Sequence, residues 1–193
     1  IVNIVHFSPT SEQVLFQSFD KSMLIYDLSK NKVKYSALFN ELELITTIAS
    51  YEQSNRFLLG SKGGEIVSYD ITRQKIMHKY GYISGWAMTS YINEDESFAL
   101  VGDKRGNIYL IELNKKEEAI TKLFQAKGNI VSIFKLEGTI FITLTNGKIL
   151  SYNALKAQKK FEKNFDNNDF AACYSQIEEE PILCVNPVYE KLA

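Results

Sequence analysis

Few residues in this chain are suited to covalent or acid–base chemistry. His6 and His78 are the only histidines among 193 residues, and Cys173 and Cys184 are the only cysteines. Both histidines fall in apolar stretches that read as strands, and a half-buried structural role is expected of His6. The cysteines stand 11 positions apart with no second pair and no nearby histidine. That spacing fits neither a zinc site nor a disulfide framework, so two reduced core thiols are expected. No Gly-x-Ser-x-Gly, His-Glu-x-x-His or Gly-Lys-Ser/Thr phosphate loop occurs. The acidic runs Glu94-Asp95-Glu96 and Glu178-Glu179-Glu180 lie in polar connectors, where solvated charge is the simplest reading. The expectation is a protein that is not an enzyme, with no catalytic residue, metal ligand or cofactor.

Recognition chemistry is better represented. Lys21, Lys62, Lys104, Arg105 and Lys148 stand in short polar breaks between apolar runs. Gathered on one surface, such cations would focus positive potential on a phosphate, an acidic peptide or a nucleic-acid backbone. A second group, Tyr80, Tyr82 and Trp86, occupies the connector around GYISGW (81–86). Trp and Tyr bury large area while offering a polar tip, which makes them frequent interface anchors. Each group has a plainer alternative. The lysines would then be solvated turn residues whose field is offset by Asp20, Asp103, Glu41 and Glu43, and Trp86 would open an inner strand and pack there.

The elements that position these residues follow from an internal repeat. VLFQSF-DKS-MLIYDL (14–28) has counterparts in RFLLGS-KGG-EIVSYDI (56–71), FALVGD-KRG-NIYLIEL (98–113) and IFITLT-NG-KILSYNA (140–154). The last polar positions, Asp27, Asp70, Glu112 and Asn153, are spaced by 43, 42 and 41 residues, and Gly64, Gly106 and Gly147 each come 6 residues before that position. Each unit reads as a strand rich in β-branched and aromatic residues, a polar turn, a second strand, a tight turn with glycine, and a third alternating strand. A charged connector then leads to a fourth strand, VKYSAL, KIMHKY or AITKLF. Four-stranded antiparallel units at this period are the blades of a β-propeller. The turns between second and third strands and the connectors between blades would emerge on the same face.

The closes Tyr26-Asp27-Leu28, Tyr69-Asp70-Ile71, Ile111-Glu112-Leu113 and Tyr152-Asn153-Ala154 resemble the Trp-Asp close of the WD-repeat family. The first unit matches best, with Phe7-Ser8-Pro9, VLFQSF, Asp20 and then MLIYDL. No unit has the family's Gly-His pair, and the positions equivalent to Asp20 are Gly63, Arg105 and Asn146. The resemblance implies a divergent propeller in which the usual buried His/Asp hydrogen-bond network is absent or replaced. The expected class is all-β, a β-propeller domain over 1–193 with blades at about 1–39, 44–80, 86–124 and 129–163 and a partial blade at 170–186. Four and a half blades leave open sides, so a partial ring belonging to a seven-bladed or larger assembly is expected, and the opening VNIVHF reads as a stretch of something longer. The segment 155–169 has helix-tolerant composition.

Lys+Arg 22 against Asp+Glu 23 gives a net charge of −1, without the basic excess that drives non-specific nucleic-acid binding. No apolar run approaches the roughly 20 residues needed to cross a bilayer, and no signal sequence opens the chain. An intracellular location, cytoplasmic or nuclear, is expected from the cysteine usage. The expected function is a protein–protein interaction scaffold within a multi-protein complex. The alternatives are a phosphate-reading module for RNA or anionic lipid headgroups, and a propeller attached to an enzyme encoded elsewhere in the chain.

Overall fold

The computed structural model describes residues 2–8, 12–136, 138–153, 158–164, 170–177 and 180–187, with the backbone alone from 152 onward. Strands and turns make up this structure, and no helix occurs among the described residues. The first sheet contains β1 (Val2–Phe7), β2 (Gln13–Ser18), β3 (Ser22–Asp27) and β4 (Lys32–Leu38). The second contains β5 (Ile45–Ser50), β6 (Arg56–Ser61), β7 (Glu65–Asp70) and β8 (Lys75–Tyr82). The third contains β9 (Ala87–Ile92), β10 (Phe98–Asp103), β11 (Asn107–Glu112) and β12 (Ile120–Gln125). The fourth contains β13 (Ile130–Leu136), β14 (Thr139–Leu144), β15 (Lys148–Asn153) and β16 (Gln158–Asn164). A hairpin of β17 (Phe170–Ile177) and β18 (Glu180–Pro187) follows. Within each sheet the strands pair antiparallel in chain order, the meander of a propeller blade.

Three apolar cores lie between successive sheets. Leu15, Met23 and Ile25 of the first meet Ile48, Leu59 and Val67 of the second. Leu58 and Ile66 on the second sheet's other side meet Ala99, Val101 and Ile111. Leu100 and Ile108 meet Ile133, Ile142 and Leu150. Each middle sheet is thus buried on both faces, which explains why β6 and β10 read as unbroken apolar runs rather than as alternating strands. The first sheet keeps an open side. Val5 pairs with Phe16 and Phe7 with Val14, and on that side Val5, Phe7 and Val33 are exposed.

The inner strands carry a repeated latch. Each is bulged near its start, with register shifts at Val2/Ile4, Ile45/Thr47 and Ile130/Ser132 and opposite Gly102/Asp103. In the first two sheets the bulged side chain reaches the next inner strand: Asn3 Nδ2 donates to the Ile45 carbonyl at 2.9 Å, and Thr46 Oγ1 to the Ala87 carbonyl at 2.5 Å. The equivalent residue in the third sheet is Met88, which has no donor and is exposed.

The polar close of the third strand is a turn cap. Asp27 Oδ1 accepts from the Lys30 N–H, and Asp70 Oδ1 accepts from the N–H groups of Thr72 and Arg73 at 2.8 and 2.9 Å. A short carboxylate is suited to this local role. For Asp70, burial pushes the pKa up, but these donors and the Arg73 guanidinium outweigh it and hold the carboxyl below its ordinary value.

The helix-tolerant composition at 155–169 does not produce a helix in the described part. Gln158–Asn164 is a strand because the free edge of β15 offers backbone partners from Lys148↔Asn164 to Asn153↔Gln158. Residues 154–157 and 165–169 lie outside the described residues.

Candidate functional face

The turns between second and third strands and the connectors between sheets meet on one face, where backbone hydrogen bonds stitch them together. The Phe39 N–H donates to the Lys21 carbonyl, Ile83 to Gly64, and Ala126 to Gly106. In the other direction Lys62 donates to Leu44, Lys104 to Trp86, and Thr145 to Asn129. The second series gives the true equivalence of turn positions: Lys62 and Lys104 share a slot that holds Thr145 in the fourth sheet.

The five cations are therefore not equivalent in position. Lys21 occupies the slot of Gly64, Gly106 and Gly147, and like them has a positive φ, 66° against 83°, 83° and 76°. Arg105 is exposed at the turn tip, its carbonyl accepting from Gln125 Nε2 at 3.2 Å. Lys148 is the first residue of β15 and is half-buried, its N–H donating to Asn146 Oδ1 at 3.2 Å. Lys62 and Lys104 are brought together on the Trp86 ring.

The Lys104 ammonium lies 4.3 Å from the centroid of the Trp86 ring and that of Lys62 lies 4.7 Å away. Trp86 stands just before β9, with 38% of its surface exposed. It stands at the entry to an inner strand, partly open to solvent, with cations from two neighbouring blades against its ring. A ring quadrupole attracts each ammonium, so charge that would otherwise repel is held on one apolar platform. Among the described residues neither lysine makes an ion pair. The Glu43 carboxylate lies beside the turn that follows Lys62, close enough to Gly63 that Oε2 would be 2.9 Å from an added Cβ.

The two tyrosines part company. Tyr82 is 70% exposed, whereas Tyr80 is 9% exposed, in the second core, with its hydroxyl 3.1 Å from that of Tyr51. Simple alternation would place both on one side of β8. A bulge intervenes, with Val67↔Lys79 followed by Ile66↔Gly81, and Gly81 takes φ 124°. Tyr80 consequently belongs to the interior and Tyr82 to the surface.

Beside Gly85, the residue before Trp86, lies a polar cluster that no local sequence pattern announces. Asp103 is fully buried and ends β10. Its Oδ1 accepts from the N–H groups of Arg105 and Asn107 at 2.8 and 2.9 Å, and its Oδ2 from Asn107 Nδ2 at 2.7 Å. Ser84 Oγ lies 2.6 Å from the Tyr109 hydroxyl and 3.5 Å from Asp103 Oδ2. This cluster ties the Lys104–Arg105 turn to the connector that carries Trp86. It replaces, in one blade, the buried network whose His and Asp the repeat lacks. The available signal was Asp103 itself, an acid at the repeat position of Ser18 and Ser61.

The opposite face differs in character. A depression of about 200 Å³ there is lined by Ser8, Gln13, Glu52 and Arg56 among others. Arg56 is already engaged, 3.7 Å from Glu96 and stacked over Tyr51. No cluster of three metal-ligating side chains occurs among the described residues, and no helix there is long and apolar enough to cross a membrane.

No family model and no curated protein matches the chain. Among solved structures, the β-propeller domain of Cps50 (Swd1) from Myceliophteria thermophila superposes with a TM-score of 0.78 at 13% identity, covering 96% of this chain. The chain spans 62% of that neighbour's length. At so low an identity the shared property is the fold, and the fold is a β-propeller of four-stranded antiparallel blades.

Proposed function

We propose that this protein is a non-catalytic, intracellular interaction scaffold of a multi-protein complex, and that it engages an acidic segment of a protein partner through the face bearing Trp86. The observation that carries this reading is the pair of lysines from neighbouring blades held on a partly exposed tryptophan. Fold alone does not assign function, so the reading rests on this site. An amphipathic ring flanked by two ammonium groups suits a carboxylate-bearing chain with adjacent apolar contacts. Arg105 and Tyr82 widen the surface, while Lys21 and Lys148 are peripheral to it. The open side of the first sheet further supports a ring completed by additional blades.

Trp86 is the only tryptophan, so its fluorescence reports this face directly. Titration with a glutamate-rich peptide should change the emission and saturate, and Lys62→Ser/Lys104→Ser should weaken binding mainly through slower association. Single-stranded RNA and vesicles with anionic lipid serve as competitors. A steep salt dependence with RNA, close to one log-log unit per phosphate neutralised, together with indifference to the peptide, would favour the phosphate-reading alternative.

A further inference from the structure

The two cysteines, remote from any expected pairing pattern, meet in the fifth hairpin. In the β17–β18 ladder Cys173 is the direct antiparallel partner of Cys184, flanked by Ala172↔Val185 and Tyr174↔Leu183. Directly opposed residues of antiparallel strands share one face of the sheet, with Cα atoms about 4.5 or 5.5 Å apart depending on the hydrogen-bonding position. Both values fall inside the roughly 4.4–6.8 Å span that a disulfide bridges. These are the only two cysteines of the chain, and the register sets them opposite one another.

We propose that Cys173 and Cys184 form a reversible cross-strand disulfide, a modification site driven by a small-molecule disulfide such as oxidised glutathione. The thiolate of one cysteine attacks the glutathione disulfide, forming a mixed disulfide and releasing one glutathione thiolate. The second cysteine's thiolate attacks the protein sulfur of that mixed disulfide and releases the second glutathione. Two protein thiols are oxidised, one glutathione disulfide is reduced to two thiols, and the two protons pass to the departing thiolates. The link would act where the fold has least support of its own. Among the described residues this hairpin has two strands where the other sheets have four, and a two-stranded ladder is marginal without further cover.

The test incubates the 193-residue chain with oxidised glutathione, quenches with N-ethylmaleimide and maps the cysteines by mass spectrometry without reduction. The linked Cys173–Cys184 peptide should exceed the singly glutathionylated forms by about tenfold or more and be independent of protein concentration, because the second step is intramolecular. Cys173→Ser should leave Cys184 stopped as the mixed disulfide. The decisive comparison is Cys184→Ser/Val185→Cys, which keeps two thiols at nearly the same sequence distance but moves one to the other face of the strand. Its intrachain linkage should fall by about tenfold or more, since geometry then opposes bridging. Equal linkage in the native and shifted proteins, or independent glutathionylation of both native cysteines, would overturn the proposal.

Discussion

Lys104 is attached to Trp86 twice: its backbone N–H donates to the Trp86 carbonyl at 3.0 Å, and its ammonium rests 4.3 Å from the centroid of the same indole. The backbone bond fixes where the lysine side chain starts, so the cation reaches the ring with little loss of freedom. Lys62 reaches the same ring from the preceding blade. The surface is thereby assembled across a blade boundary, and its integrity depends on the two sheets staying in register.

Trp86→Ala is expected to cost about 1–2 kcal/mol of stability, short of the roughly 3–5 kcal/mol for a fully packed aromatic, because a third of the side chain already faces water. Lys62→Met and Lys104→Met should each cost within about 1 kcal/mol, the size of a solvent-exposed cation–π contact. Urea unfolding followed by circular dichroism would measure all three. A loss above about 3 kcal/mol for Trp86→Ala would assign it to the core.

Asp103→Ala should be among the most damaging polar substitutions. It leaves the N–H groups of Arg105 and Asn107 and the Asn107 amide without an acceptor in a closed site. Stranded buried donors cost about 1–3 kcal/mol each before relaxation, so a total near 3 kcal/mol is expected. Ser61→Ala at the equivalent position removes one acceptor, for the Glu65 N–H, and should cost about 1 kcal/mol. Denaturant midpoints of the two variants, compared directly, check the ratio.

The repeat was legible because blade architecture is local: strand, turn and strand recur in each unit, and Gly64, Gly106 and Gly147 mark the same turn. Lys21 concealed the fourth instance, since it stands six residues before Asp27, where the other units have glycine, yet reads as a surface cation. The cluster around Asp103 was not legible, for Ser84, Asp103, Asn107 and Tyr109 come from a connector and two strands whose meeting depends on sheet packing. Alternation along β8 hides the separation of Tyr80 from Tyr82, because the bulge falls at Tyr80 itself, between the Lys79 and Gly81 pairings, and turns the two side chains to different surroundings. The strand at Gln158–Asn164 shows tertiary pairing overriding composition.

The shared left-handed slot yields a paired prediction. A Cβ on Gly106 would sit 2.6 Å from the Ala126 carbonyl and 2.5 Å from that of Gly128, and both are backbone atoms that cannot swing aside. Gly106→Ala should therefore cost well over the roughly 1 kcal/mol of left-handed strain alone. Lys21→Gly, which relieves the same backbone conformation, should be neutral or stabilising by up to about 1 kcal/mol. Thermal melts should show a clear fall in midpoint for Gly106→Ala and no fall for Lys21→Gly.

The open side of the first sheet predicts association. Val5 and Phe7 on β1 and Val33 on β4, the two edges of that sheet, are exposed on one side, apolar surface that the described residues leave uncovered. Sedimentation should show concentration-dependent self-association, reduced by Val5→Ser/Phe7→Ser. A monodisperse monomer at all concentrations would remove the proposal of a ring completed by further blades.

His6 gives the pH dependence a defined sign. Its Nε2 lies 2.6 Å from Ser50 Oγ on the neighbouring inner strand, and its ring stands edge-on to Phe57 at 5.9 Å. Burial lowers its pKa below the ordinary 6.5, so the folded protein favours the neutral ring. Between the folded and unfolded pKa values the unfolded chain binds more protons, and stability rises with pH. The contribution is therefore complete above about pH 6.5, declines as pH falls below it, and levels off below the folded value. Asp27, Asp70 and Asp95 have lowered pKa values, so their contributions are present above the ordinary carboxylate range and are lost in stronger acid. The interval between about pH 5 and 6.5 thus isolates the histidine from the carboxylates. Urea midpoints across that interval should fall for the native protein and stay flatter for His6→Gln, which keeps a donor for Ser50 without a titrating ring. Parallel curves for the two proteins would show that this inter-blade contact does not govern the response to acid.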